Sequence, residues 1–589
     1  LQWQLPVADI VISNGVVSHV SGKSASFGEL ATLAAQQERP ETVSLKTPAQ
    51  FKLIGRPVPR IETMDKVNGR AIFGSDVRPP GLLFACIGMN PEVGGTYESL
   101  DDTLVKTMPG IKKVLAVPEL YGSTTAVAVV AQTTYQAMKG LRQLPVEWCP
   151  GKATDLSDIT VQNSFKEALD SNSGFTYFSQ GDADSAIAAS KKTIKAEYSA
   201  PYLAHAAMEP LSCTVWFKDG AAEVWASTQI TDLARHVVAK VLGISSDKVK
   251  LHLTLLGGGF GRRLEMDVIA QAAFIAKACE GTPVQALWDR PQDLQHDFYR
   301  PAAASRFTAA LDDNGQLTAW HNLSTSQAVL PQVLSRLFSL PATGPDKTTA
   351  EGAFDQAYEW PNAKISHCAV DLPIPVGFWR SVGHSHQAFF KESFVDEVAH
   401  AAGQDALAFR LSLLKNHPRH AKVLQTVAEK SAWKNTAYKA PDGSQRAMGL
   451  ALHESFGSIV AQVAEVSVLQ QTIKVHRVWC VIDCGTAVNP DLIAQQMEGS
   501  VAFALSAAFF GRIQLNKGRV QQSNFHDYQV LRLPDMPPVE TFIMPSDAIP
   551  EGVGEPGTPP VAPAVANAVF TLTGQRLRSL PFALAATTV

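Results

Sequence analysis

Residues 552–560 read Gly-Val-Gly-Glu-Pro-Gly-Thr-Pro-Pro. Glycine and proline at this density rule out regular structure and leave a stiff loop. Pro556 pushes Glu555 toward extended backbone, so the frame aims the carboxylate. Residues 561–570 follow with Val561, Ala564, Val565, Ala568 and Val569 on one stripe, which predicts a helix ending near Gly574. A carboxylate held where a loop runs into a helix is a candidate general base. The alternative is a solvated glutamate on a surface turn.

A second glycine loop lies mid-chain. Leu256-Gly257-Gly258-Gly259-Phe260-Gly261-Arg262-Arg263 stands between a strand pattern over 249–256 and a helix pattern over 268–279 closed by Gly281. Main-chain N–H groups of such a loop can approach an anion or an oxo group, and the helix start and both arginines favour negative charge. The glycine order differs from the Gly-x-Gly-x-x-Gly of dinucleotide turns, and a simple tight turn is the alternative. Upstream, strands over 214–217 and 223–226 flank Lys218-Asp219-Gly220 as a hairpin. Ile230, Leu233, Ala234, Val237, Val238, Val241 and Leu242 then repeat at helical spacing up to Gly243. Gln229, at the strand end before that helix, is a neutral donor suited to a cofactor oxygen. The segment from His205 to Glu209 and Pro210 reads more readily as hydrogen-bonded structure.

Residues 377–387, Gly-Phe-Trp-Arg-Ser-Val-Gly-His-Ser-His-Gln, read as a further loop. His384 and His386 suggest a metal pair, but no carboxylate or third ligand stands near them, so no metal ligands are assigned. The chain has no Gly-x-Ser-x-Gly elbow and no Gly-x-x-x-x-Gly-Lys-Ser/Thr loop, so hydrolase and phosphate-loop chemistry lack their signals.

With 51 basic against 55 acidic residues and no basic stripe, nucleic acid is not an expected partner. No apolar run reaches the length of a membrane span. The seven cysteines form no Cys-x-x-Cys pair, which argues against an iron–sulfur cluster or zinc on this chain. Cys480 and Cys484 read as core.

At 589 residues the chain exceeds one core. The patterns divide it into residues 1–50, 51–150, 151–440 and 441–589. The first has a strand pattern over 10–20 broken at Asn14-Gly15 and a helix over 27–36 begun by Ser26. Pro57 to Gly69 looks like a linker into a compact unit with a buried strand over 126–131 and a helix over 132–141. The third has a hairpin turning at 312–315 and a helix marked by Phe390, Phe394, Val395 and Val398 that ends at Gly403. The last has strands over 462–468, 473–482, 519–530 and 539–543 and a helix near 491–506. Strands and helices mix throughout, an α+β class.

Hairpin, Ser-Thr-Gln, helix, Gly-Gly-Gly-Phe-Gly, an arginine loop and a late Gly-Glu-Pro occur in the order found in molybdenum hydroxylase large subunits. The chain resembles this xanthine dehydrogenase and aldehyde oxidase superfamily from about residue 8 onward, most closely the isoquinoline 1-oxidoreductase type of beta subunit. Gly69 to Val77 through Pro80-Gly81 looks like the opening of that family's hammerhead domain. Asp483-Cys484-Gly485, Asn489-Pro490 and Gln496-Met497-Glu498-Gly499 look like the second cofactor-binding half. Gly554 to Pro560 and Ser523 to Tyr528 carry the closer match.

The resemblance implies a hammerhead α/β domain over 51–150, followed by a two-part molybdopterin-binding α+β domain over 151–440 and 441–589. Residues 1–50 would be the tail of an N-terminal cofactor-binding segment. By position, Gln229 matches the residue whose amide reaches the molybdenum oxo group. Gly258, Gly259, Phe260 and Gly261 match the loop facing metal and pterin, Arg380 the arginine of the next cofactor loop, and Glu555 the base. The metal would be held through the pterin and not by side chains. The reaction implied is hydroxylation of an N-heteroaromatic or oxidation of an aldehyde with water as oxygen source: base-assisted attack of Mo–OH and hydride transfer to Mo=S.

The cofactor implied is molybdopterin, in its cytosine dinucleotide form, with iron–sulfur clusters only on a separate subunit. A small two-cluster iron–sulfur subunit and a cytochrome c acceptor are the partners expected, and the periplasm the compartment, with the cytoplasm as alternative. Leu264 stands where purine-oxidising members carry a carboxylate, so an apolar heteroaromatic or an aldehyde fits better than a purine. The Gly-Gln-Gly and Gly-Gly-Ser segments that bind the dinucleotide tail are not in this sequence, so a missing N-terminal cofactor-binding segment is expected as well. A cofactor-free or non-catalytic homologue acting as a scaffold is the alternative.

Overall fold

Period-2 stretches and period-3.6 stretches alternate along the chain, and in the computed structural model they become three main sheets with helices against their faces. The structure describes residues 2–151, 153–341 and 344–585. The chain divides between Ile54 and Gly55 into two units.

In the first unit, Ile10–Ser13 and Val16–His19 pair antiparallel, and Ser24–Ser26 adds a third strand. The turn uses Asn14 and Gly15 at φ 50° and 75°, the left-handed backbone this pair adopts readily. Ser26 caps the helix Phe27–Ala34 reciprocally: its hydroxyl accepts the Glu29 N–H, and the Glu29 carboxylate accepts the Ser26 N–H at 2.7 Å.

The second unit holds all the candidate site residues. Its seven-stranded sheet runs Val249–Leu253, Ala221–Ala226, Ser212–Lys218, Val284–Leu287, Leu83–Met89, Ala126–Ala131 and Ile111–Val117. Strands from both sides of residue 150 therefore share one sheet. A five-stranded sheet runs Lys192–Ala200, Ala303–Leu311, Leu317–Ser326, Ala363–Ala369 and Phe175–Gln180. Another is built on the long strands Gln445–Ser455, Ser458–Leu469 and Thr472–Asp483, edged by Tyr438–Lys439 and Val539–Ile543.

The helix His384–Ala401 is buried on every face from His384 to Ala399, as a helix enclosed by other elements must be. It contacts strands of both five-stranded sheets and the helix Val561–Thr573. That last helix buries the predicted stripe: Val561, Ala564, Val565, Ala568 and Val569 are all at most 1% exposed. Its closeness to the sheet depends on Gly449. A Cβ there would lie 2.0 Å from Ala564 O and 2.4 Å from Ala568 N. Asn567 Nδ2 then donates to Leu450 O at 3.1 Å. The glutamate loop enters the helix from its N-terminal end, so this contact also places Glu555.

Four expectations change. The strand Gln445–Ser455 has no alternating pattern because Ala447 to Leu452 are buried on both faces. The strand expected over 519–530 shrinks to Arg519–Val520. Beyond it the Asp527 carboxylate draws in the N–H groups of Ser523 and Asn524, both at 2.9 Å, and bends the chain into a turn. The linker contains the short helix Thr63–Val67. Residues 384–387, read as loop, are the first turn of the buried helix.

Candidate active site

Three loops meet at one place because each ends an element of the second unit. The hairpin Ser212–Lys218/Ala221–Ala226 closes on Gly220 and delivers Gln229 to the start of the helix Thr231–Leu242, which stops at Gly243 with φ 76°. Gln229 is exposed, and its Oε1 accepts the Gly261 N–H at 3.2 Å. Its Nε2 is left to donate outward.

The glycine loop is closed by sterics. Gly258 and Gly261 have φ of 105° and 107°, which an L side chain rarely adopts. A Cβ on Gly261 would stand 1.8 Å from Phe378 O, and one on Gly259 would stand 2.6 Å from Gln229 Oε1. Among the described residues the N–H groups of Gly258, Gly259 and Phe260 have no acceptor, so the loop offers a row of main-chain donors beside the Gln229 amide.

The arginines of this loop do not face an anion, against expectation. Arg262 and Arg263 are 2% and 3% exposed. Arg262 pairs with Asp267 at 2.6 Å and Asp297 at 3.0 Å, and Arg263 with Glu209 at 3.0 Å. Burial of a guanidinium is costly without such partners, so the carboxylates take both. Glu209 also accepts the Gly257 and Ser75 N–H groups. His205 bridges Asp297 and Phe378 O at 2.9 and 2.7 Å. The segment from His205 to Glu209 is thus a scaffold for the loop, as its sequence suggested.

The third loop ties the other two together. The Arg380 N–H donates to Phe260 O at 2.9 Å. The Arg380 side chain donates from Nε to Gly554 O at 2.7 Å and from Nη2 to Gln496 Oε1 at 2.9 Å. Burial pulls its pKa down to about 10, with Glu555 opposing. The Ser381 N–H donates to Glu555 Oε1 at 2.9 Å, and the Ser381 hydroxyl to Glu555 O at 2.7 Å. Phe260, Ser381 and Val382 have φ of 55°, 75° and 45°. Positive φ is unusual for these residues and worst for β-branched valine, and such strain collects at working sites.

Glu555 is half-buried, with its second carboxylate oxygen unclaimed by any donor among the described residues. Burial pushes its pKa up, while the Ser381 N–H and the Arg380 charge hold it down. A stack of aromatic rings backs the site: Phe503 lies 4.5 Å from both Phe260 and Trp379, at interplanar angles of 24° and 26°. Phe503 and Gln496 are two turns apart on the helix Pro490–Phe509, so one face supplies both contacts.

The structure therefore brings Gln229, Gly258, Gly259, Phe260, Gly261, Arg380 and Glu555 into one linked set. His384 and His386 lie outside it. His384 Nδ1 shares a hydrogen bond with His453 Nε2 at 2.9 Å, and His386 is 1% exposed beside Phe390. Sequence reasoning missed Ser381, Gln496, Phe503 and Asp297. The first two stand inside segments already singled out, but nothing local marks them as partners of Glu555 and Arg380.

A molybdopterin cofactor-binding domain family matches residues 165–414, and a second family of the same description matches residues 392–537. The chain is 32% identical over 632 residues to the beta subunit of isoquinoline 1-oxidoreductase from Brevundimonas diminuta, covering 98% of this chain and 79% of that protein. It is 30% identical to a membrane-bound aldehyde dehydrogenase [pyrroloquinoline-quinone] of Gluconacetobacter polyoxogenes, covering 97% and 77%. Quinoline 2-oxidoreductase from Pseudomonas putida 86 superposes with a TM-score of 0.75 at 14% identity, over 90% of this chain and 97% of that one.

Proposed function

Because the chain belongs to the molybdopterin-binding large subunits of the xanthine dehydrogenase and aldehyde oxidoreductase family, we propose that it hydroxylates an N-heteroaromatic ring or oxidises an aldehyde, with water as oxygen source and Glu555 as base. It is a molybdenum-containing oxidoreductase chain. Two of its relatives carry names that mark them as single subunits, which describe parts of multi-subunit enzymes. We assign the separate iron–sulfur subunit, the cytochrome acceptor and the cytosine dinucleotide form of the cofactor on the same likeness. Among the described residues no helix is long and apolar enough to cross a membrane, and the periplasm is the compartment we propose.

The residues present fit the cofactor. Glycine at 259 and 261 lets the loop pack against Gln229 and Phe378 O, and its free N–H groups and the Gln229 Nε2 suit acceptor oxygens. When bound, the cofactor supplies the two-electron oxidant and activates water-derived oxygen.

Glu555 receives the proton on its free carboxylate oxygen, while the Ser381 N–H holds the other oxygen in place. Burial raises the Glu555 pKa, and the Ser381 N–H and the Arg380 charge oppose that rise in favour of the ionised form. Stacking on Phe503, itself backed by the buried Trp379, holds the Phe260 ring at the site as an apolar surface suited to a planar ring. The observation that carries this reading is the pair of Ser381 bonds that fix Glu555 beside Arg380. The test is dye reduction with quinoline-type rings and aldehydes by the enzyme purified with its partner subunit. Glu555→Gln should remove turnover by about 10²-fold or more and leave molybdenum content intact. Substantial remaining activity would take Glu555 out of the base role.

A further inference from the structure

Three carboxyl groups lie on the segment 346–355, which sits against the loop carrying Arg380 and Ser381. Asp346 accepts the N–H groups of Val329 and Thr348, at 2.6 and 2.9 Å. Asp355 accepts the Gly352 N–H at 2.7 Å. Glu351 is different. It is half-buried, and among the described residues its carboxyl receives no hydrogen bond.

Gly383 couples this segment to the site. Its N–H donates to Thr348 O at 3.0 Å. A Cβ there would stand 2.5 Å from Thr348 O and 3.1 Å from Glu351 Cγ, so glycine is what permits the approach. Two residues earlier, Ser381 holds Glu555 Oε1. Glu351 thus lies behind the loop that fixes Glu555.

We propose that Glu351 is a positioning residue for Glu555, retaining its proton while Glu555 is ionised so that the two carboxyls together carry one negative charge. The proposal rests on Glu555 being the base. Burial pushes Glu351 up to about 8, Asp355, Asp346 and Glu555 add to this, and Lys347 opposes it. His384 faces the same segment through Gly352, and Arg380 stands on the Glu555 side. Ionising Glu351 places a second negative charge behind the loop that holds Glu555, which disfavours further negative charge building up on the substrate, and turnover falls. The pair thereby divides into an ionised base and a neutral acid, as neighbouring carboxyls in different surroundings do.

The test compares Glu351→Gln, which cannot ionise, with the unmodified protein. In the holoenzyme, kcat/KM should fall above about pH 8 in the unmodified protein, and Glu351→Gln should lose this alkaline limb while keeping the acid one. A second readout uses the cofactor-free chain. A carboxyl raised from its ordinary 4.5 to about 8 costs the folded state more as pH climbs between those values. The Tm advantage of Glu351→Gln should therefore grow from about pH 5 to about pH 8 and level off above. Gly383→Ala, which keeps Glu351 but forces it away, should move the alkaline limb to lower pH and covers the case in which Glu351→Gln folds poorly.

An unchanged alkaline limb, or a Tm difference independent of pH, overturns the proposal. Activity retained by Glu555→Gln would overturn the reading of the base instead, and the Tm series still decides whether Glu351 holds its proton.

Discussion

Ser381 and Glu555, 174 residues apart in the chain, are joined by two hydrogen bonds, one to the carboxylate at 2.9 Å and one to the backbone carbonyl at 2.7 Å. The first bond sets the direction of the carboxylate and the second the position of its loop. A single bond would leave the glutamate free to swing about the other. Ser381 makes both from a left-handed backbone, φ 75°, in a loop already tied to the glycine cradle through the Arg380 N–H.

The acid side of the pH profile follows from Glu555. Burial raises its pKa, and the base acts only when ionised. As pH falls through that raised value, kcat/KM should drop tenfold per unit, starting above the ordinary carboxylate range of about 4.3. A kcat/KM profile from pH 4 to 9 checks this.

Arg380→Met should move that acid limb to higher pH, because the positive charge that opposes the effect of burial on Glu555 is gone. It also frees Gly554 and Gln496, and kcat/KM near neutrality should fall by about 10–100-fold, at about 1.4 kcal/mol per decade. Arg380→Lys should fall in between, keeping the charge but not the fork that reaches both acceptors.

Gly261→Ala should open the cradle. The new Cβ would need space held by Phe378 O, 1.8 Å away, at φ 107°. Overpacking of this kind costs about 1–3 kcal/mol. Molybdenum content per subunit should drop along with Tm, whereas Gly281→Ala, at a φ of 86° with nothing within 4 Å, should leave molybdenum content unchanged.

Asp297→Asn should be more damaging than any change inside the cradle. Asp297 is 1% exposed and serves Arg262, His205 and the Phe298 N–H. Removing one partner of a buried ion pair costs about 3–5 kcal/mol. Denaturant midpoints of the unmodified protein and Asp297→Asn measure the loss. Leu253→Ala, at an exposed strand end, should stay within about 0.5 kcal/mol.

Elements with a strong local period were legible in advance. The helix Val561–Thr573 buries the stripe read from its sequence, and the helix Thr231–Leu242 stops at the glycine that ends its pattern. The hairpin turned at Asn14-Gly15 and the capping box at Ser26 are set by neighbours within three residues. The strand Gln445–Ser455 escaped notice because both its faces are covered, which erases the alternation. Arg263 was misread because its partner Glu209 lies 54 residues away, and Arg262 because its burial is completed by Asp297, 35 residues away, in addition to the nearby Asp267.

By itself the sequence determined which segments could be loops, which backbone positions needed glycine, and in what order the candidate residues follow one another. Those properties depend on local sterics and hydrogen bonding over a few residues. Only the tertiary structure decided that Ser381 orients Glu555, that Arg380 joins Gly554 to Gln496, and that the loop arginines face inward. The reason is physical. A loop's side chains are directed by whichever donors, acceptors and charges the packed elements bring against it, and here those come from helices and strands far along the chain.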